Sequence, residues 1–298
     1  MYREFDLMKI LLRIKFYLIL FVLIFLLISA LAISSYFRWN MEINFLGGNL
    51  AYQLFVIENK NYNYTLQHEN AHVFGLLLYN KYGIQGINYC DDSFNYGCYH
   101  ILTATAINKE GLATIKEILK MCQKLPNSIR SKSCQHGIGH GILAHFGYSL
   151  NNLSQSLKEC DLIEQKYSET CSSGVFMEYN FQSMHTNSQQ VRKLDPAKPH
   201  FPCDSINPES RPGCYFQQTQ WWLTSLSGTN VEKVQQIETF CSQLSSLEVI
   251  SCYKGLTLHL PSFTGWNFEE TQKLCGYLST EHGSECLAST TNIFNSRE

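Results

Sequence analysis

The chain has 298 residues, 45% of them hydrophobic and 13% aromatic, which is ample for a packed core and excludes a disordered polymer. Its formal net charge is -2. With no basic surplus to neutralise a phosphate backbone, nucleic acid is excluded as the expected partner.

The N-terminal stretch reads as a membrane element. Residues 1–15 carry Arg3, Lys9, Arg13 and Lys15, and the 22 residues from Phe16 to Phe37 carry no charge. A run of that length with a positive N-terminal flank predicts a transmembrane signal-anchor at 16–37, a cytoplasmic segment at 1–15 and the rest of the chain outside the cytoplasm. A cleaved signal peptide is the rival, because Ala30-Leu31-Ala32 is a small-x-small site, but the uncharged run exceeds a usual signal core. Residues 38–65 are then a juxtamembrane linker, and 66–298 an extracytoplasmic α-helical repeat domain.

All 12 cysteines fall beyond residue 89, as an oxidising compartment allows. In order they pair as 90/98, 122/134, 160/171, 203/214, 241/252 and 275/286, and the second members recur every 34 to 43 residues. A period of that size marks a helical-repeat array. Each unit runs from a cysteine through an apolar stretch and a turn into a second amphipathic stretch that ends in another cysteine. The second stretches are 111–122, 152–160, 230–241 and 267–275; three begin with Asn as candidate N-cap, and two of these have Glu in the first turn. Joining the end of each second (B) helix to the next unit's first (A) helix is the most economical pairing, although spacing alone leaves others open. Between Tyr179 and Cys214 the B helix gives way to a polar stretch with five of the chain's 7 prolines, Pro196, Pro199, Pro202, Pro208 and Pro212. That stretch reads either as a lid or binding loop or as a solvated insertion.

The histidines follow the same register. His100 lies two places after Cys98, and His136 and His140 lie two and six places after Cys134. Taking Leu66 as the equivalent of that cysteine puts His68 and His72 at the same two offsets. On a helix the four-residue spacing sets both rings on one face, where a pair can hold one metal ion. Equivalent positions on stacked helices lie side by side, so His68, His72 and His100 form one expected three-nitrogen set, and His100, His136 and His140 another. Glu178, on the following A helix, is a further candidate, as a carboxylate ligand, as the partner of an imidazole N–H, or as a solvated residue. Gln217, Gln220, Trp221 and Trp222 read as a groove lining or as core. His145, His185, His200, His259 and His282 fall outside the register.

The period and cysteine placement over residues 66 to 298 resemble cysteine-rich tetratricopeptide-like and Sel1-like helical repeats, without the tetratricopeptide Trp-Leu-Gly-Tyr pattern. Cys134-Gln-His-Gly-Ile-Gly-His140 and Cys171-Ser-Ser-Gly-Val-Phe-Met-Glu178 also look like membrane-anchored bacterial proteins with repeated segments of this kind. His68, Glu69, His72 and Gly75 resemble the H-E-x-x-H-x-x-G of zinc peptidases, which would make Glu69 the general base, although Leu78 stands where the metzincin pattern needs a third histidine.

The sequence therefore predicts an all-α, disulfide-stapled helical-hairpin repeat array, an α-solenoid, behind an N-terminal transmembrane helix. Its predicted function is binding of a transition metal, zinc foremost, through the histidine cluster. Non-covalent haem between two imidazoles is a second cofactor reading. The alternatives are a metal-free scaffold whose concave face receives a protein or envelope partner, and a zinc-dependent hydrolase using His68, Glu69 and His72.

Overall fold

A computed structural model of the chain describes residues 14–23, 35–163, 165–182, 184 and 192–295, with backbone only at 64, 165–169 and 246. Among the described residues the regular structure is entirely helical. Residues 14–23 form helix α1. No described helix is long and apolar enough to cross a membrane; residues 24–34, the middle of the predicted 16–37 span, lie outside the described residues.

The chain divides into two compact units, Met1–Ile57 and Glu58–Glu298. In the first, the residues expected as a linker are largely helical: α2 (Ser35–Leu46) is followed by α3 (Gly48–Asn59) after Gly47, whose φ of 79° allows the tight reversal. Trp39 and Phe55 meet edge to face at 5.1 Å, which gives this helix pair an aromatic contact of its own.

In the second unit, the A helices are α4 (Tyr64–Tyr82), α5 (Gly97–Glu110), α7 (Ser128–Phe146), α9 (Gln165–Phe181), α10 (Arg211–Ser225), α12 (Ser246–Phe263) and α14 (Thr280–Asn295). Each packs against the next in the series. Between them stand the shorter B helices α6 (Ile115–Gln123), α8 (Leu150–Asp161), α11 (Asn230–Ser242) and α13 (Phe268–Cys275). The B helices are amphipathic: α6 buries Ile115, Ile118 and Met121, and α8 buries Leu153 and Leu157, leaving polar faces outward. Of the three expected Asn caps only Asn267 caps, accepting from Glu270 N. In α8 the chain turns helical earlier and Ser149 caps; in α11 Thr229 and Glu232 form a reciprocal capping box, which satisfies two backbone donors where Asn230 would satisfy one.

Six disulfides fasten the units: Cys90–Cys98, Cys122–Cys134, Cys160–Cys171, Cys203–Cys214, Cys241–Cys252 and Cys275–Cys286. Each joins the end of a B segment to the next A helix, the economical pairing of the sequence reading, and the described chain holds no free cysteine. Closing loops of this size contributes about 2–4 kcal/mol apiece by restricting the unfolded chain. Six such links point to an oxidising environment outside the cytoplasm.

Glycine sets how closely the A helices approach. A Cβ on Gly75 would lie 2.5 Å from the carbonyl oxygen of Cys98, and one on Gly137 would lie 2.8 Å from that of Tyr99. Gly174 and Gly255 abut the carbonyls of His136 and Phe216 more tightly still. Gly137, Gly174 and Gly255 each stand three places after the disulfide cysteine of their own helix.

The proline-rich stretch is docked, at least from 192 to 210. The Arg192 guanidinium lies 3.5 Å from the Trp221 ring centroid and donates to Asn180 Oδ1 and Gln218 Oε1 at 3.1 Å each. Trp221 and Trp222 donate through their indole nitrogens to the carbonyls of Arg192 and Pro199, at 2.8 and 3.0 Å. Both tryptophans are fully buried. They are core, and the groove reading of these two residues is corrected: their rings hold the segment down because its backbone carbonyls need donors and α10 supplies them.

Candidate metal centre

The register of the histidines becomes a cluster because α5 lies between α4 and α7. His68 and His72 stand one turn apart on α4, with ring centroids 4.4 Å apart. His100 on α5 lies 5.4 and 6.0 Å from them. On its other side it lies 4.9 Å from His136 and 4.8 Å from His140, with the latter ring stacked on it at 22°. In each of the two expected sets, His68/His72/His100 and His100/His136/His140, one ligand nitrogen per residue falls within 4.8 Å of the others.

Several contacts fix which nitrogen faces the cluster. His140 Nδ1 donates to Glu178 Oε2 at 2.9 Å, which leaves its Nε2 turned inward, 3.2 Å from His136 Nε2. Two nitrogens held by one tetrahedral ion at zinc's bond length would be about 3.3–3.4 Å apart, so this pair already has the spacing of two ligands. His136 is itself hydrogen-bonded to the Thr170 backbone. His68 Nδ1 lies 2.9 Å from the Phe94 carbonyl and donates to it, freeing Nε2.

That carbonyl is delivered by an unusual turn. Phe94, Asn95 and Tyr96 have φ of 54°, 52° and 65°, three successive non-glycine residues in the left-handed region immediately before α5. Each costs of order 1 kcal/mol or more, and such a run persists only where the surrounding structure fixes it. Here it starts the helix that carries His100 and turns a carbonyl onto His68.

Glu178, a candidate ligand, imidazole partner or solvated residue by sequence, is fully buried. Its Oε1 accepts from Tyr148 Oη at 2.6 Å and from Met184 N at 3.0 Å, and its Oε2 holds His140. It sits behind His140 and outside both three-nitrogen sets. Glu69 is exposed on α4. His145, His200 and His282 stay apart from the cluster, and His185 lies outside the described residues.

The electrostatics favour neutral rings. Burial, followed by repulsion from His68 and His140, pulls His72 well below its ordinary value of 6.5. Burial and its neighbouring imidazoles do the same to His100 and His136, and burial lowers His68 to a lesser degree against the raising effect of the Phe94 carbonyl. At neutral pH these rings carry lone pairs in place of charge, the state a metal ligand requires. Yet His72 Nε2 and both nitrogens of His100 are buried without a hydrogen-bond partner. Such orphans are costly, at about 1–3 kcal/mol each, and call for an explanation.

His136 also lines a cleft of about 880 Å³ whose wall includes Gln67, Ser173, Met177, Gln220 and His259. Gln217 lines it too, donating to Ser173 Oγ at 2.7 Å. The glutamines of the suspected groove therefore do face a cleft. His259, which falls outside the histidine register, is brought there by α12, and burial lowers it to about 4. It falls seven places after Cys252, outside the two- and six-place offsets that flagged the others. Comparison with family models, curated proteins and solved structures yields no match.

Proposed function

We propose that this chain is a membrane-anchored, extracytoplasmic helical-repeat protein that binds a transition metal through His68, His72, His100, His136 and His140, with zinc as the first candidate. The observation that carries the reading is the convergence of five imidazoles, His100 and His140 buried and the other three half-buried, with nitrogens of His72 and His100 that have no hydrogen-bond partner. Neutral nitrogen donors suit zinc, copper, iron and nickel, and the 3.2 Å Nε2 spacing of His136 and His140 suits a short metal–nitrogen bond. The direct ring contacts favour a bare ion over a porphyrin, which needs a flat slot between its two imidazoles. Glu178, buried and held by Tyr148 and Met184 N, acts by orienting His140. The apolar segment 16–37 is the membrane tether, and the A helices form a solenoid stapled by the disulfides.

A second reading draws on the cleft. A concave surface touched by successive A helices suits a protein or envelope partner, with or without a metal at its end. Elemental analysis of the full chain, solubilised without a histidine tag, separates the two. Stoichiometric metal in the wild type that is lost in His136→Ala supports the metal centre; no metal in either, with equal stability, leaves the scaffold.

A further inference from the structure

His100 differs from the other cluster histidines in the number of nitrogens it leaves unsatisfied. His68 and His140 each tie one ring nitrogen to a fixed oxygen and turn the other inward, and the Thr170 backbone holds His136. The His100 side chain is only 2% exposed, and neither of its nitrogens has a hydrogen-bond partner. It also belongs to both three-nitrogen sets. A single ion would take one of its nitrogens and strand the other in a site that offers it no oxygen. The two nitrogens of an imidazole point away from each other across the ring, so the same ring can serve an ion on each side.

Building on the metal-binding reading above, we propose that His100 is a bridging ligand between two divalent transition-metal ions, one shared with His68 and His72 and the other with His136 and His140. The first ion binds the neutral ring through one nitrogen. The second displaces the N–H proton of the other nitrogen, which leaves to water, so that the ring becomes an imidazolate bonded to both metals and one proton is released per bridge. Each ion then has three protein nitrogens and keeps a position for water or another ligand. Four imidazoles and one imidazolate leave the pair a net charge of +3.

Copper(II) is the probe that reports the bridge. The full chain, solubilised and without a tag, is loaded with copper(II) and desalted; its copper is then counted and its electron paramagnetic resonance signal integrated at low temperature. Two coppers per chain with loss of most of the integrated signal are expected, because an imidazolate couples the two spins antiferromagnetically. Release of one more proton than in a bridge-free variant accompanies the second ion. In His100→Ala, checked for folding by circular dichroism, bound copper should fall and whatever remains should give its full, uncoupled signal. One copper per wild-type chain, or two with full signal, overturns the bridge while leaving histidine metal binding intact. No bound metal overturns both. The wild-type measurement decides even if the variant fails to fold.

Discussion

The helices α4, α5 and α7 and the helices α9, α10 and α12 are built alike and equipped differently. Both groups carry disulfides from preceding B segments, and both use small residues where a side chain would block the neighbouring helix. At the positions two and six places after the disulfide cysteine the first group has His100, His136 and His140, with His68 and His72 in equivalent places. The second has Ser173 and Met177, Phe216 and Gln220, Lys254 and Leu258. The array therefore packs equally well without histidine. Since the other helices pack without imidazoles at these positions, and since the cluster leaves orphaned nitrogens, the proposed metal binding accounts for the histidines better than packing does.

Disturbing the same packing feature in each group of helices should separate the two most strongly. Gly174→Ala and Gly255→Ala each push a methyl into a carbonyl of the preceding A helix, at His136 and at Phe216. Overpacking of this kind costs about 1–3 kcal/mol, partly offset by roughly 1 kcal/mol of helix propensity. Similar losses of stability by chemical denaturation are expected in the two variants, but on the proposed reading only Gly174→Ala should also lower metal occupancy, because the carbonyl it displaces belongs to His136, a proposed ligand. Equal metal loss in both would mean that occupancy merely tracks global stability.

Acid should distinguish the halves next. The unfolded chain protonates its histidines near 6.5, whereas burial holds His68, His72, His100 and His136 lower in the folded state. Below pH 6.5 the unfolded state therefore binds more protons, and stability falls as pH falls toward the lowered folded values. His259 contributes in the same sense between 6.5 and about 4. Metal-free protein should lose on the order of 10 °C in Tm between pH 7.5 and 5. Replacing His72, His100 and His136 with Gln should flatten most of that slope, and His259→Gln little of it. An unchanged slope in the triple variant would show that the cluster is not buried neutral.

Much of this was legible in the sequence, and the reason is periodicity. The near-constant spacing of 11 or 12 residues between Cys122 and Cys134 and in the later pairs left one economical pairing, and the offsets of His100, His136 and His140 from their cysteines placed them on one face before any packing was known. What periodicity cannot carry was missed. Gly137 and Gly174 matter through a carbonyl on another helix, the left-handed run from Phe94 to Tyr96 has no glycine to announce it, and Trp221 and Trp222 are buried by a loop that gives no sign of its docking site. Glu178 is the intermediate case. It was flagged by position, but its role depends on Tyr148, which arrives from the turn after α7.

That role gives a smaller prediction. Glu178→Gln keeps the shape and can still accept from Tyr148, but it replaces a charge-assisted bond to His140 Nδ1 with a neutral one. Loss of such a partner typically lowers metal affinity about 10–100-fold. A competition titration with a chelator measures it. Affinity unchanged within error would mean that His140 is oriented by packing alone or is not a ligand.

Glu69 should show the smallest effect, and it tests the boundary between a binding site and a catalyst. In a zinc hydrolase the residue after the first histidine takes the proton of the metal-bound water, so it must lie within hydrogen-bond reach of that water in a site closed to bulk solvent. Here His68 turns inward to the Phe94 carbonyl and to His100, while Glu69 is exposed on the same helix. Glu69→Gln is therefore expected to leave metal content unchanged and stability within about 0.5 kcal/mol, as for most exposed substitutions. Peptide hydrolysis by the metal-loaded wild type that disappears in Glu69→Gln with the metal retained would reverse the conclusion. The cluster would then serve to activate water, and the cleft that His136 lines would be the way in for its substrate.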